Sequence, residues 1–156
     1  MNETLLNAIR LREEGKHEAA CAELSKLVQQ EPDDAVIHYQ CAWAHDNLGL
    51  EQEAIQFYER AIALGLEDID LQAATLGLGS SYCCVGEYAK SVSILQQGVE
   101  RFPSNRAIQV FLALSLHKAG ESREAVALLL KNLAETSSDE SILKYKRAIL
   151  HYSNEL

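Results

Sequence analysis

The sequence predicts an all-α solenoid of four helix-turn-helix units closed by a C-terminal capping helix. Three observations lead there. Glycines recur at Gly15, Gly49, Gly86 and Gly120, separated by 34, 37 and 34 residues. Around each glycine the same sizes return: a small residue seven places before (Ala8, Ala42, Gly79, Ala113), a small one five after (Ala20, Ala54, Ser91, Ala125) and a large one nine after (Leu24, Tyr58, Leu95, Leu129). Pro32 and Pro103 close the first and third units.

Each mark has a physical reason. A glycine takes the left-handed backbone of a helix-ending turn without the penalty a Cβ brings. Small residues let two helices approach, and large ones fill the gap between them. The stretch from Gln72 to Asn105 is the clearest unit. Leu78, Gly79 and Tyr82 share one face of its first helix, and Gly86 breaks it. Tyr88, Ser91 and Leu95 then recur at helical spacing before Pro103. Units are expected at about 1–34, 35–68, 72–105 and 106–139, all within one domain spanning 1–156. Three extra residues near Leu66 to Leu71 are expected to lengthen the turn between units two and three, with Asp70 capping the next helix. After unit four, Ser137 and Glu140 have capping-box spacing. Ile142, Tyr145, Ile149 and Tyr152 then mark one apolar face of a capping helix over about 138–154, which covers the open end of the last unit.

Composition narrows the function. The chain has 156 residues, 47% hydrophobic and 24% charged, with no apolar run long enough to span a bilayer. Its start, MNETLLNAIRLREEG, lacks the layout of a signal peptide and reads directly as helix, so a cytoplasmic location is expected. A net charge of −9 argues against nucleic acid, whose binding needs clustered Lys and Arg. Cys21, Cys41, Cys83 and Cys84 include no C-x-x-C pair, and most of them read as small core residues rather than disulfides. His38 and His45 lack partners at a metal-ligand spacing, so neither metal nor cofactor is expected.

These registers resemble the tetratricopeptide repeat, a helix-turn-helix unit of 34 residues. The likeness runs from about Met1 to Asp139, and the chain as a whole is similar to the small bacterial tetratricopeptide proteins called group 5. Departures make units two and four the weaker copies. His45 stands where a large apolar residue belongs, Gly98 and Asn132 replace a late small residue, and Leu66 and Ser137 replace proline.

The resemblance implies a right-handed superhelix whose first helices line a concave groove, and it names the places that point into it. Here they hold Leu5, Ile9 and Arg12; Tyr39, Trp43, Asp46 and Asn47; Leu76, Ser80 and Cys83; Val110, Leu114, His117 and Lys118. The groove is therefore expected to be apolar with an aromatic centre, and Tyr39 and Trp43 to present a large exposed stripe. The clamp with which some of these repeats grip a chaperone's terminal carboxylate is absent, because its places hold Leu5, Ile9, Trp43, Ala73 and Gly77. The row Asp46, Cys83, His117 invites a cysteine-hydrolase reading. The order is wrong for it, since Cys83 lies between the acid and the histidine it would have to orient. The expected function is a non-enzymatic scaffold that binds a protein or peptide segment with apolar anchors. The alternative is a homodimer that buries the same stripe or the C-terminal helix.

Overall fold

A computed structural model describes residues 2–156. Eight helices make four antiparallel pairs: α1 (Glu3–Glu13) with α2 (His17–Gln30), α3 (Ala35–Asn47) with α4 (Glu51–Leu64), α5 (Asp68–Cys84) with α6 (Tyr88–Arg101), and α7 (Arg106–Lys118) with α8 (Ser122–Thr136). Two short helices follow, α9 (Glu140–Lys144) and α10 (Lys146–Ser153).

The four turns inside the pairs are built alike. Gly15, Gly49, Gly86 and Gly120 all have positive φ, between 71° and 91°. In each, the N–H of the residue after the glycine reaches back five residues, as in Lys16 to Leu11 and Glu87 to Tyr82, while the glycine N–H bonds three residues back. This pair of bonds is the Schellman closure, which satisfies carbonyls that the helix end would leave open. At the starts of three of the four pairs, side chains do the capping. Asn2, Asp34 and Asn105 accept bonds from the first-turn N–H groups of α1, α3 and α7.

Packing follows the size registers. All eight small positions are buried, as are Leu24, Tyr58 and Leu95. Gly79 sits against Leu95, and a Cβ built there would fall 2.4 Å from Leu95 Cγ. Gly98 is packed against Thr75 and Ile108. His45, out of pattern, is buried beside Phe57 at 4.9 Å and bonds through Nδ1 to the Cys41 carbonyl at 2.7 Å. Helices α1, α3, α5 and α7 touch one another in succession, whereas α2, α4 and α6 pack chiefly on their sequence neighbours. The first-helix row is thus the inner one, and it carries the groove.

Three expectations are corrected. The extra residues between units two and three do not lengthen the turn. Gly65, at φ 101°, reverses the chain at once, and α5 starts at Asp68 and runs 17 residues, against 13 for α3 and α7. Asp70 lies inside its first turn, where acidic groups complement the helix dipole, and does not cap it. The capping box is not formed either. Asp139 caps α9 by accepting from the N–H groups of Ser141 and Ile142. Finally, the capping helix is broken at Tyr145 (φ −108°, ψ 11°), and the break shifts the phase of its faces. Ile142, Ile149 and Leu150 are half-buried and α10 lies on α8, but Tyr145 and Tyr152 face solvent. Leu129 of the fourth unit, which has no full helix pair after it, is 41% exposed.

Candidate functional site

The inner row brings part of the expected set together. A cavity of about 450 Å³ opens between α3 and α5, lined by Tyr39, Trp43, Asp46, Asn47, Leu76 and Ser80, with Tyr58, Ala73, Gly77 and Phe111 completing it. Ser80 and Phe111 also border a second cavity of about 220 Å³, where Cys83, Leu114, His117 and Lys118 meet. The two hollows adjoin at Ser80 and Phe111, and together they mark a trough along α3, α5 and α7.

The other expected residues lie elsewhere or act otherwise. Leu5 is buried in the core and borders a separate hollow at the N-terminal edge, with Val36 and Ile37. Ile9 packs half-buried against the core of the first pair, and Val110 is exposed outside both cavities. Tyr39 corrects the picture of a broad aromatic stripe. It is buried among Ala42, Tyr58 and Ala74, so only the ring wall meets the cavity. Burial pushes its phenol up to about 12.

Trp43 is the exposed aromatic, at 38%. One side of its ring leans on Tyr39, with centroids 5.8 Å apart. The Arg12 guanidinium lies 3.5 Å from its ring centroid, a cation–π stack that fixes the indole. Arg12 itself is only 7% exposed and its Nε has no hydrogen-bond partner among the described residues. Burial lowers its pKa, against the raising effect of Glu13.

Asp46 braces the cavity floor. Its Oδ2 accepts from Tyr58 Oη at 2.7 Å and its Oδ1 from Ser81 Oγ at 2.8 Å, so one carboxylate ties α3, α4 and α5 together. Burial pushes its carboxyl above the usual range, while the two hydrogen bonds oppose that shift. The same burial, together with Asp46, raises the Tyr58 phenol. Tyr58 and Phe111 were not singled out as groove residues. The tyrosine carried a readable signal, a hydroxyl at a register that holds leucine in the other units, because a buried phenol needs an acceptor.

The hydrolase arrangement is not assembled. Cys83 and His117 share the second cavity, but no hydrogen bond joins them among the described residues. His117 Nδ1 pairs with Ser122 Oγ at 2.8 Å, and Asp46 is engaged by Tyr58 and Ser81. Cys21, Cys41 and His45 also cluster. Cys21 Sγ lies 3.6 and 3.4 Å from the two ring nitrogens of His45, nearly equidistant, which places it against the ring and not along a nitrogen lone pair. No group of three or more such side chains is arranged to hold a metal ion among the described residues.

A family model described as Tetratrico peptide repeat matches residues 35–156. The chain belongs to the tetratricopeptide repeat family. The same architecture recurs in solved structures of other tetratricopeptide proteins. MamA matches at a TM-score of 0.75 with 23% identity, covering 93% of this chain and 74% of that one. YrrB, described as a TPR protein with an unusual peptide-binding site, matches at 0.75 with 18% identity, covering 97% and 76%. A putative kinesin light chain from Podospora anserina with TPR-like repeats matches at 0.72 with 22% identity, covering 97% and 84%. These likenesses establish the fold. In sequence, the chain is 28% identical over 98 residues to Superkiller protein 3 of Saccharomyces cerevisiae, covering 63% of this chain and spanning 7% of that protein's length. No described helix is long and apolar enough to cross a membrane.

Proposed function

We propose that the protein is a non-enzymatic scaffold that lays a protein or peptide segment along its inner trough, with an apolar side chain seated in the cavity beside Trp43. One observation carries this reading. Beside an exposed indole, with the rings of Tyr39, Tyr58 and Phe111 in its wall, lies a hollow of about 450 Å³, the size that takes a large side chain and its neighbours. Tetratricopeptide repeats bind protein or peptide partners, and exposed aromatics on a rigid frame are the groups that dominate such interfaces. The four cysteines, all free thiols, fit a cytoplasmic setting.

Trp43→Ala is expected to abolish capture of the partner from native cytosol, with the melting temperature little changed, because the indole is partly exposed and its stack with Arg12 is worth about 1 kcal/mol. Undiminished capture would sink the reading. A second reading, self-association, has its own observation: Leu129, Leu133, Tyr145 and Tyr152 are exposed together at the C-terminal end. On this reading light scattering after size exclusion finds a dimer at tens of micromolar, and a strict monomer rules it out.

A further inference from the structure

We propose that the trough selects segments in which an acidic side chain stands beside the apolar anchor, and that Arg12 is the group that holds the acid. This rests on the trough being a peptide-binding surface.

The observation is an unusual arginine. Arg12 is more than nine-tenths buried and its guanidinium carbon stands over the Trp43 indole, 3.5 Å from the ring centroid. Its Nε is buried without a partner among the described residues, whereas its terminal nitrogens are not among the buried unpaired atoms and remain open to an incoming acceptor. The carboxylate within ion-pair range, Glu13, stands 4.0 Å away on an exposed side chain. A guanidinium largely withdrawn from water, with its Nε left unpaired, is costly, and a carboxylate that meets the accessible terminal nitrogens of its planar fork relieves part of that cost. Stacking on the indole holds that fork in one orientation, which favours a paired, charge-assisted contact.

The surroundings say where the acid goes. Trp43 is shared, with one face under Arg12 while its ring borders the main cavity. An acid on Arg12 therefore adjoins whatever side chain fills that cavity. Asp46 makes no ion pair with Arg12 and instead accepts from Tyr58 and Ser81. As part of the cavity wall it also disfavours a second acid there. At the far end of the trough, His117 and Lys118 line the second cavity. In a chain of net charge −9, Arg12 thus stands behind Trp43 next to one end of the trough, while His117 and Lys118 line the other, with apolar hollows between. A free chain terminus meets one end at most, whereas side-chain carboxylates within a segment can meet both, so the occupant is an internal acidic residue flanking apolar ones.

The test is selection of short random peptides, displayed with their C-termini fused and therefore without a free terminal carboxylate, on the wild type and on Arg12→Gln. Wild type should enrich sequences with Asp or Glu near paired apolar residues. Arg12→Gln should keep the apolar preference and lose the acidic one. Changing the acid to its amide in the tightest peptide should weaken binding to wild type about tenfold. The same change should matter less than about twofold for Arg12→Gln. The amide arm uses the unaltered protein, so the inference stays testable if the variant folds poorly. Enriched sequences without acids, an acidic preference that survives Arg12→Gln, or affinity that follows a free terminal carboxylate in synthetic peptides would each overturn the role of Arg12 while leaving peptide binding intact. No enriched sequence at all would overturn both readings.

Discussion

The middle of the stack and its C-terminal end are written in the same sequence register and come out differently. In the middle, Leu95 is 0% exposed, locked against Gly79 with helices on every side. At the end, Leu129 occupies the equivalent place and is 41% exposed, with Val126 and Leu133 open beside it. A repeat position fixes which way a side chain points. Burial of that side chain depends on what packs over it, and the helix lying on α8 is the eight-residue α10, which leaves Leu129 open.

That contrast can be broken most directly by equal truncations. Leu95→Ala should cost about 2–5 kcal/mol, the range for a fully buried leucine that leaves a cavity, whereas Leu129→Ala should cost about 1 kcal/mol or less. Urea midpoints of the two variants measure the gap, and equal losses would show that the C-terminal end is as tightly covered as the middle.

A smaller effect separates the ends by pH. The Asp46 carboxyl, inside the stack, is raised by burial. Its contribution to stability is therefore fully present below its unfolded pKa and is lost as the pH rises through its folded one. Glu135 and Asp139, at the C-terminal end, are lowered, by the Arg106 hydrogen bond and by bonds from Ser141 and Ile142 respectively, so their contributions are lost as the pH falls. Unfolding midpoints from pH 7 toward the carboxylate range should therefore move in favour of wild type over Asp46→Asn as acid is added. Parallel curves for the two proteins would count against a strained carboxylate at the cavity floor.

Most of the fold could be read from spacing, because the marks that define it are local. A glycine at a turn, a small residue at a crossing and a leucine between helices each state their role within a few residues. The site was less legible because its decisive contacts join distant helices. Asp46 meets Ser81 of α5, and Arg12 meets Trp43 of α3. The reading of Arg12 as one polar groove residue in a row missed that an indole from the next unit would cover it. Leu66 to Leu71 misled for another reason. A stretch with Asp68 and Asp70 reads equally as loop or as a first helical turn, and Gly65 decided for the turn. The two exposed tyrosines of the C-terminal helix were assigned by assuming one unbroken helix, which the break at Tyr145 removes.

Trp43 has one more consequence. The chain contains a single tryptophan, so every photon of indole emission reports from the trough and from nowhere else. The ring is held between a guanidinium and a phenol with part of its surface wet, an environment that any occupant must alter. The protein therefore carries its own optical gauge of occupancy, readable without a label.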